Sequence, residues 1–460
     1  MSKYKGKKVL VVGVGVSGGA VAKYMTKQGA KVTVTDLRQK TELGDAVAQC
    51  EELKLEYDLG KHNSKTFTTA ELIVVRPGVP LNLKPLDEAK EAGIPFTNEI
   101  ELAASSLKEP LIAITGTNGK TTTTILIGEI FKADGKNAFV GGNVGKPLLD
   151  YVTDGLKSDV VVAELSSFQL ELTQRLIPAV AIFTNMEEDH LDRYSTMDSY
   201  IAAKKRLLAA CDKNSYVVLN YDCPIVSKFA SESPARILWF TKQDPMKVGG
   251  EFAERFVGCY FDASKKRIVD RTTGKEEIYD LTNFRLMGEH NRENLMAAIC
   301  SARAMGVSPK AIQTVIQTFK GVPHRLEFIR RKDGVYFFND SKGTNVMSMK
   351  RSLASFNLSP VILIAGGKDK NSEFGPLVDL VKKKVKILIL LGEAKEKINR
   401  SLGDFSETYL VGTFEEAVLL AYQKSRSGDV VLLSPGCSSF DMFRNFEERG
   451  DYFRKLVTQL

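Results

Sequence analysis

Short runs of apolar, largely β-branched residues alternate along this chain with longer stretches whose apolar positions recur at helical spacing. That alternation is the pattern of layered α/β structure. In the first hundred residues it predicts strands at 8–12, 32–35 and 72–75 and helices at 20–28 and 86–92. A polar, acidic stretch at 97–109 then leads to Pro110, which reads as a hinge. The pattern restarts with a strand at 111–114, a glycine loop and a helix from about Thr121. Further strands follow at 159–163, 179–183, 216–219 and 237–240. Residues 242–279, rich in Gly, Lys and Asp, read as antiparallel hairpins at a sheet edge, and helices at 291–305 and 310–319 close the segment. Beyond Gly321-Val322-Pro323, a second expected hinge, strands are predicted at 335–339, 361–365, 387–391, 408–411 and 430–433. Three successive α/β domains result, at 1–98, 99–321 and 322–460.

Composition supports this division. A chain of 460 residues is about three times the length of a typical domain, so several separate cores are expected. Apolar residues at 43% and charged residues at 26% exclude global disorder. The net charge of +8 is spread along the chain, which suits anionic small molecules and is too diffuse to argue for nucleic acid, so no nucleic-acid partner is expected. Six cysteines (Cys50, Cys211, Cys223, Cys259, Cys300, Cys437) never fall in a C-x-x-C spacing, so a reduced, cytoplasmic setting is expected. The four histidines have no paired metal spacing, which argues against a zinc site built by protein alone. No apolar run approaches the ~18 residues of a membrane span. The basic N-terminus followed by residues 9–16 imitates a secretion signal, but Gly13, Gly15, Gly18 and Gly19 interrupt it and fit a strand-turn-helix instead.

Two loops carry phosphate chemistry. Gly13-x-Gly15-x-x-Gly18 follows a strand and opens a helix, where glycines permit close backbone approach and the helix N-terminus favours a diphosphate. Asp36 ends the next strand, where a ribose or base reader sits. Thr115-Gly116-Thr117-Asn118-Gly119-Lys120-Thr121-Thr122 resembles a P-loop with two residues between its glycines, where the general form has four. Its N–H groups and helix dipole can cradle β/γ-phosphates, Lys120 adds a positive charge, and Thr121 can ligate Mg²⁺. A hydride-transfer enzyme has no use for a γ-phosphate, whereas an enzyme that activates a nucleotide-linked substrate with ATP needs both loops.

Glu164 ends a strand beside the P-loop, a position from which an acid can hold Mg²⁺. His190 lies in the loop after the strand at 179–183, at the carboxyl end where open α/β sheets bind ligands. Tyr200-Ile201-Ala202-Ala203-Lys204-Lys205-Arg206 reads by composition as a helix with a solvated basic face.

Over nearly its whole length the chain resembles the ATP-dependent Mur ligases, which build the peptide stem of peptidoglycan. The general marks are the 115–122 loop, Glu164-Leu165-Ser166-Ser167, Asp189-His190-Leu191-Asp192, the Lys204 helix and Gly288-Glu289-His290-Asn291-x-x-Asn294. Narrower marks point to the branch that joins D-glutamate to UDP-N-acetylmuramoyl-L-alanine. These are Asn339-Asp340-Ser341-Lys342-Gly343-Thr344-Asn345, Gly366-Gly367-Lys368-Asp369-Lys370, Ser434-Pro435-Gly436-Cys437-Ser438-Ser439-Phe440-Asp441 and Asn445-Phe446. The Asp-Asn-Pro-Arg element of the branch that adds the third residue is missing from the sequence.

The resemblance implies a Rossmann-like N-terminal UDP-binding domain, a central P-loop ATPase-like domain with a mostly parallel sheet, and a Rossmann-like C-terminal amino-acid-binding domain. It implies a monomer in which ATP phosphorylates the substrate carboxylate and D-glutamate displaces phosphate from the acyl phosphate. Gly116, Thr117, Asn118, Gly119, Lys120, Thr121 and Thr122, with Asn291, Asn294, Arg325 and Asp340, would bind ATP. Thr121, Glu164, His190 and a carbamylated Lys204 would hold Mg²⁺, and Lys120, Glu164, His190 and Lys204 would form the catalytic group. Val16, Ser17, Asp36, Leu37, Arg38, Gly78 and Asn143 would bind the UDP substrate; Lys342, Thr344, Lys370, Ser439 and Phe446 would surround D-glutamate. Arg76-Pro77-Gly78 departs from the Ser-Pro-Gly more usual in the family.

Three rival readings fit fewer residues. An NAD-dependent oxidoreductase leaves Lys120 without a purpose. A folylpolyglutamate synthase shares the ATP loop but lacks a UDP-reading first domain. A non-enzymatic nucleotide-binding regulator would bind nucleotide without making ADP.

Overall fold

A computed structural model describes residues 2–43, 50–190, 193–286, 288–356, 360–369 and 372–460. Leu191 and Asp192 of the histidine motif and Lys370 of the expected D-glutamate site lie outside the described residues. Among those described, the strands form sheets of five, nine and six. One compact unit comprises Met1–Phe284 with Glu289–Thr318 and contains the first two sheets; the other comprises Arg285–Gly288 with Phe319–Leu460.

The first sheet takes β1 (Lys8–Val12), β2 (Lys31–Asp36), β3 (Glu56–Leu59), β4 (Leu72–Val75) and β5 (Phe96–Thr97) in the order β3-β2-β1-β4-β5. All its pairings are parallel. Four consecutive buried residues in β1 reflect a strand covered on both faces, which is why it reads as an apolar run and not as an alternation. The chain runs outward through β2 and β3, then returns to the other side of β1 with β4. That reversal leaves a crevice at the carboxyl ends of β1 and β4, the place where open α/β sheets bind nucleotides.

The second sheet contains β6 (Leu111–Thr115), β7 (Ala138–Gly142), β8 (Val160–Glu164), β9 (Val180–Phe183), β10 (Tyr216–Asn220), β11 (Arg236–Thr241), β12 (Gly258–Asp262), β13 (Arg267–Asp270) and β14 (Glu277–Asp280). β6 lies between β8 and β9, parallel to both, and every residue of β6 and β8 is buried. The phosphate loop, Glu164 and the Thr184-Asn185 segment therefore leave the sheet at one end. The expected edge hairpins are present over 258–280, where β12 pairs antiparallel with β13 and β13 with β14, but not over 242–257. β13 and β14 are antiparallel, but β12 first joins β11 in parallel after two short helices, Pro245–Val248 and Gly250–Arg255.

The acidic stretch before Pro110 contains a packed helix, Glu99–Ala104. Asn98 caps it through the Glu101 N–H and donates to the Gln169 carbonyl at 2.6 Å. Glu99 is buried and its Oε1 accepts the Leu149 N–H at 2.7 Å. Lys23 and Lys27 of helix Val16–Lys27 reach Asp154 and the Thr153 carbonyl, so this segment and its neighbours tie the first sheet's layer to the second.

In the other unit β15 (Glu327–Lys332), β16 (Val335–Asn339), β17 (Val361–Gly366), β18 (Val385–Leu391), β19 (Glu407–Leu410) and β20 (Val430–Leu433) follow the order β15-β16-β20-β17-β18-β19. Only the β15 edge is antiparallel. Successive residues serve opposite cores. Leu363, Leu388, Leu390 and Leu432 pack on one face, and Ile362, Ile364, Ile389 and Val431 on the other.

Candidate active site

A dense polar constellation surrounds the loop between β6 and helix Lys120–Ala133. Gly119 caps this helix with φ of 82°, and a Cβ there would run into the Asn294 side chain. Gly116, at φ of 136°, leaves no room for a Cβ beside Thr184. The loop is braced from the β9 side. Thr117 N–H donates to the Asn185 carbonyl at 2.9 Å, Asn118 N–H to Asn185 Oδ1 at 2.8 Å, and Asn118 Nδ2 to Glu187 Oε2 at 2.8 Å. Lys120 folds back to donate to the Gly116 and Thr117 carbonyls at 3.0 and 2.8 Å. This closed posture holds the ammonium against the loop into which a phosphate chain would fit.

Glu164, the last residue of β8, links two further groups. Thr121 Oγ1 donates to its Oε2 at 2.6 Å and Asn143 Nδ2 to its Oε1 at 2.8 Å. Lys204 projects from helix Met197–Ala209 with 1% of its surface exposed and donates to the Gly116 carbonyl at 2.8 Å. Its ammonium also lies 4.6 Å from the centre of the Tyr200 ring. Burial, and then the nearby Lys120 charge, push its pKa well below that of an ordinary lysine, with Asp189 and Glu164 opposing. The basic face expected from composition thus divides: Lys204 is buried, while the neighbouring Lys205 pairs with Glu232. Tyr200 hydroxyl meets Thr117 Oγ1 at 3.2 Å, and its ring lies 6.3 Å from that of His190, which in turn packs 4.8 Å from Phe168. His190 holds a left-handed backbone at φ of 55° and lies 3.6 Å from Asp189. Asn294 accepts from Thr123 at 3.4 Å and donates to Asn291 at 3.3 Å.

In the crevice of the first sheet, Asp36 organises the glycine loop. It accepts the Val14 N–H at 2.8 Å and binds Arg38 through Nε at 3.0 Å and Nη2 at 2.9 Å. Burial acts to raise its pKa, but the bonds from Arg38 and Val14 outweigh burial and hold the carboxyl at about 2. Val16 and Leu37 stand 73% and 60% exposed, apolar side chains left open beside the loop, and Gly78 holds φ of 93°.

The second unit carries Arg325, Asp340, Lys342, Thr344, Ser439 and Phe446. Asp340 accepts from Ser352 at 2.6 Å, Ser434 at 2.8 Å and the Leu326 N–H at 3.3 Å. Burial raises its pKa to about 6 against these bonds and the nearby Arg325 charge. Lys342 Nζ lies 4.9 Å from the centre of the Phe446 ring, and Thr344 N–H donates to the Lys342 carbonyl at 2.8 Å. Ser439 is buried in the loop after β20. Sequence reasoning missed Arg449, which is buried and bonded to Ser341, Cys437 and Ser438. It also missed Tyr200, which joins Thr117, Lys204 and His190. Each appears in sequence as an ordinary helical residue, and no local signal marks it.

These features define a three-domain α/β protein with a nucleotide-phosphate loop, a buried acid–lysine cluster beside it and a second, nucleotide-type crevice. Family models match residues 7–98 as a Mur ligase MurD-like N-terminal domain, 114–302 as a Mur ligase middle domain and 324–437 as a Mur ligase glutamate ligase domain. The chain belongs to the Mur ligase family. It is 48% identical to the UDP-N-acetylmuramoylalanine--D-glutamate ligase of Bdellovibrio bacteriovorus, covering 99% of this chain and 98% of that one. It is 47% identical, with the same coverage, to the protein of that name from Geotalea daltonii. Among solved structures, a pseudomurein peptide ligase type C from Methanothermus fervidus shares the fold with a TM-score of 0.59 at 21% identity, covering 98% of this chain and 99% of that one.

Proposed function

We propose that this protein joins D-glutamate to UDP-N-acetylmuramoyl-L-alanine at the expense of ATP, in the cytoplasm and as a monomer, during peptidoglycan precursor synthesis. The observation that carries the reading is the pairing, within one compact unit, of the Lys120–Thr121–Glu164 phosphate site with a second crevice built for a nucleotide diphosphate. ATP transfers its γ-phosphoryl group to the substrate carboxylate, giving an acyl phosphate and ADP. The D-glutamate amine attacks the acyl carbon, a tetrahedral intermediate forms and phosphate leaves. Anions meet in both steps, so fixed cations and N–H donors carry the transition-state charge. Lys120 serves the transferring phosphoryl group, and Gly116–Thr122, Asn291, Asn294, Arg325 and Asp340 serve the rest of ATP. Lys342, Thr344, Lys370, Ser439 and Phe446 hold D-glutamate. Val16, Ser17, Asp36, Leu37, Arg38, Gly78 and Asn143 hold the UDP substrate.

Thr121 and Glu164 offer adjacent hard oxygens of the kind Mg²⁺ takes, so this donor set fits the ion. Among the described residues no group of three or more His, Cys, Asp or Glu side chains could hold a metal unaided. A buried Lys204 ammonium repels a cation, whereas its carbamate, formed when the neutral amine adds to CO₂ and loses a proton, gives His190 an oxygen partner. Bound Mg²⁺ supplies neutralisation of phosphate charge.

ADP release measured with UDP-N-acetylmuramoyl-L-alanine and a panel of L- and D-amino acids tests the proposal. D-glutamate alone should drive turnover. Equal turnover of L-lysine or meso-diaminopimelate would assign the chain to another branch, and nucleotide binding without ADP would favour a regulator.

A further inference from the structure

Arg76 follows β4 directly, so it emerges at the point where the first sheet's strand order reverses. Its side chain lies back across the glycine loop. A Cβ on Gly13 would stand 3.2 Å from the Arg76 Cβ, and one on Gly15 would stand 3.2 Å from the guanidinium carbon. The glycines that permit close approach to a diphosphate here also admit an arginine. Arg76 Nη1 donates to the Val14 carbonyl at 3.2 Å, and Arg38 Nη2 donates to the same oxygen at 2.7 Å. Two guanidinium groups thus converge on one carbonyl, and the Asp36 carboxylate beside them is engaged by Arg38 in a fork. Among the described residues no carboxylate pairs with Arg76. Burial, and then the Arg38 charge, lower its pKa, a stress that a bound anion would relieve.

We infer that Arg76 is a substrate-positioning residue of this ligase, its guanidinium binding the diphosphate of the UDP substrate over the Gly13–Gly18 loop. The inference rests on the assignment of the nucleotide substrate to the first domain. Arg38, also assigned to the UDP site, spends its Nε and Nη2 on Asp36 and the Val14 carbonyl. Arg76 keeps unused donors in a planar fork suited to phosphate oxygens.

The test compares inhibition constants of UDP and uridine against UDP-N-acetylmuramoyl-L-alanine for the full chain, Arg76→Ala and Arg76→Lys, with melting temperatures as a folding control. Loss of a charge-assisted bond should weaken UDP by about ten- to a hundredfold in Arg76→Ala while uridine stays nearly unchanged. Arg76→Lys should recover part of the loss, because it restores the charge but not the fork. KM for the nucleotide substrate should rise with kcat and the ATP KM unchanged, the mark of uniform binding. Arg76→Gln carries the same comparison if Arg76→Ala does not fold. Unchanged UDP inhibition, or an equal loss for UDP and uridine, overturns the inference. Failure of the unmutated chain to bind UDP would overturn the first-domain assignment itself.

Discussion

Replacing Arg449 by methionine removes a buried cation from the unit that carries the expected D-glutamate residues, while keeping much of its volume. Arg449 lies on helix Phe446–Gln459. Its Nε donates to Ser341 Oγ at 3.0 Å, Nη2 to the Ser341 and Cys437 carbonyls at 2.9 and 3.2 Å, and Nη1 to the Ser438 carbonyl at 3.2 Å. Burial lowers its pKa from 12.5 to about 10, against the nearby Asp441, Cys437 and Asp340 charges. That depression corresponds to about 3 kcal/mol against the charged form. Four charge-assisted bonds at roughly 1.5–3 kcal/mol each outweigh it even at the low end. Arg449→Met should therefore destabilise this unit by at least about 3 kcal/mol, lowering its melting transition by about 10 °C. Below that transition, the D-glutamate KM should rise about tenfold more than the ATP KM. The bonded residues Ser341 and Ser438 immediately precede Lys342 and Ser439. Arg449→Lys should lie between, since one ammonium cannot span both loops. Calorimetry and steady-state kinetics on the three proteins decide the matter. An Arg449→Met protein that melts like the unmutated chain with an unchanged D-glutamate KM would refute the reasoning.

Two further outcomes are expected. Lys204→Ala should abolish turnover while Lys205→Ala, which loses its contacts with Glu232 and the Phe229 ring, should retain it; in CO₂-stripped buffer the unmutated enzyme should slow and recover on adding bicarbonate, and normal turnover in Lys204→Ala would exclude the carbamate. Burial raises the Glu99 carboxyl from 4.5 to about 7, so the folded state holds more protons than the unfolded state between those values and stability falls as pH rises through the window. The stability difference between Glu99→Gln and the unmutated chain should move in favour of the variant by about 2.5 kcal/mol from pH 5 to pH 8, measured by denaturant unfolding, and a constant difference would argue against it.

Local spacing in the sequence determined the loop chemistry. Glycines at 13, 15, 18, 116 and 119, the Lys120-Thr121 pair and an acid at the end of β8 are informative because each works within a few residues of a strand end. The apolar runs of β1, β6, β8, β17 and β20 were legible for a related reason, since strands buried on both faces carry an unbroken signal. Edge strands such as β3 and β15 were not, because one side faces solvent and their residues are mixed. Only the tertiary structure placed β20, the last strand in the chain, between β16 and β17, and set β12 parallel to β11. Periodicity records whether a residue is buried but not which strand it pairs with. The same limit governs the site. Lys204 and Lys205 are indistinguishable by composition, yet the helix turns one toward the Gly116 carbonyl and the other toward Glu232. Arg76 reaches Val14 across 62 positions and Arg449 reaches Ser341 across 108. Contacts at such separations arise from the order of the strands, and local sequence carries no trace of that order.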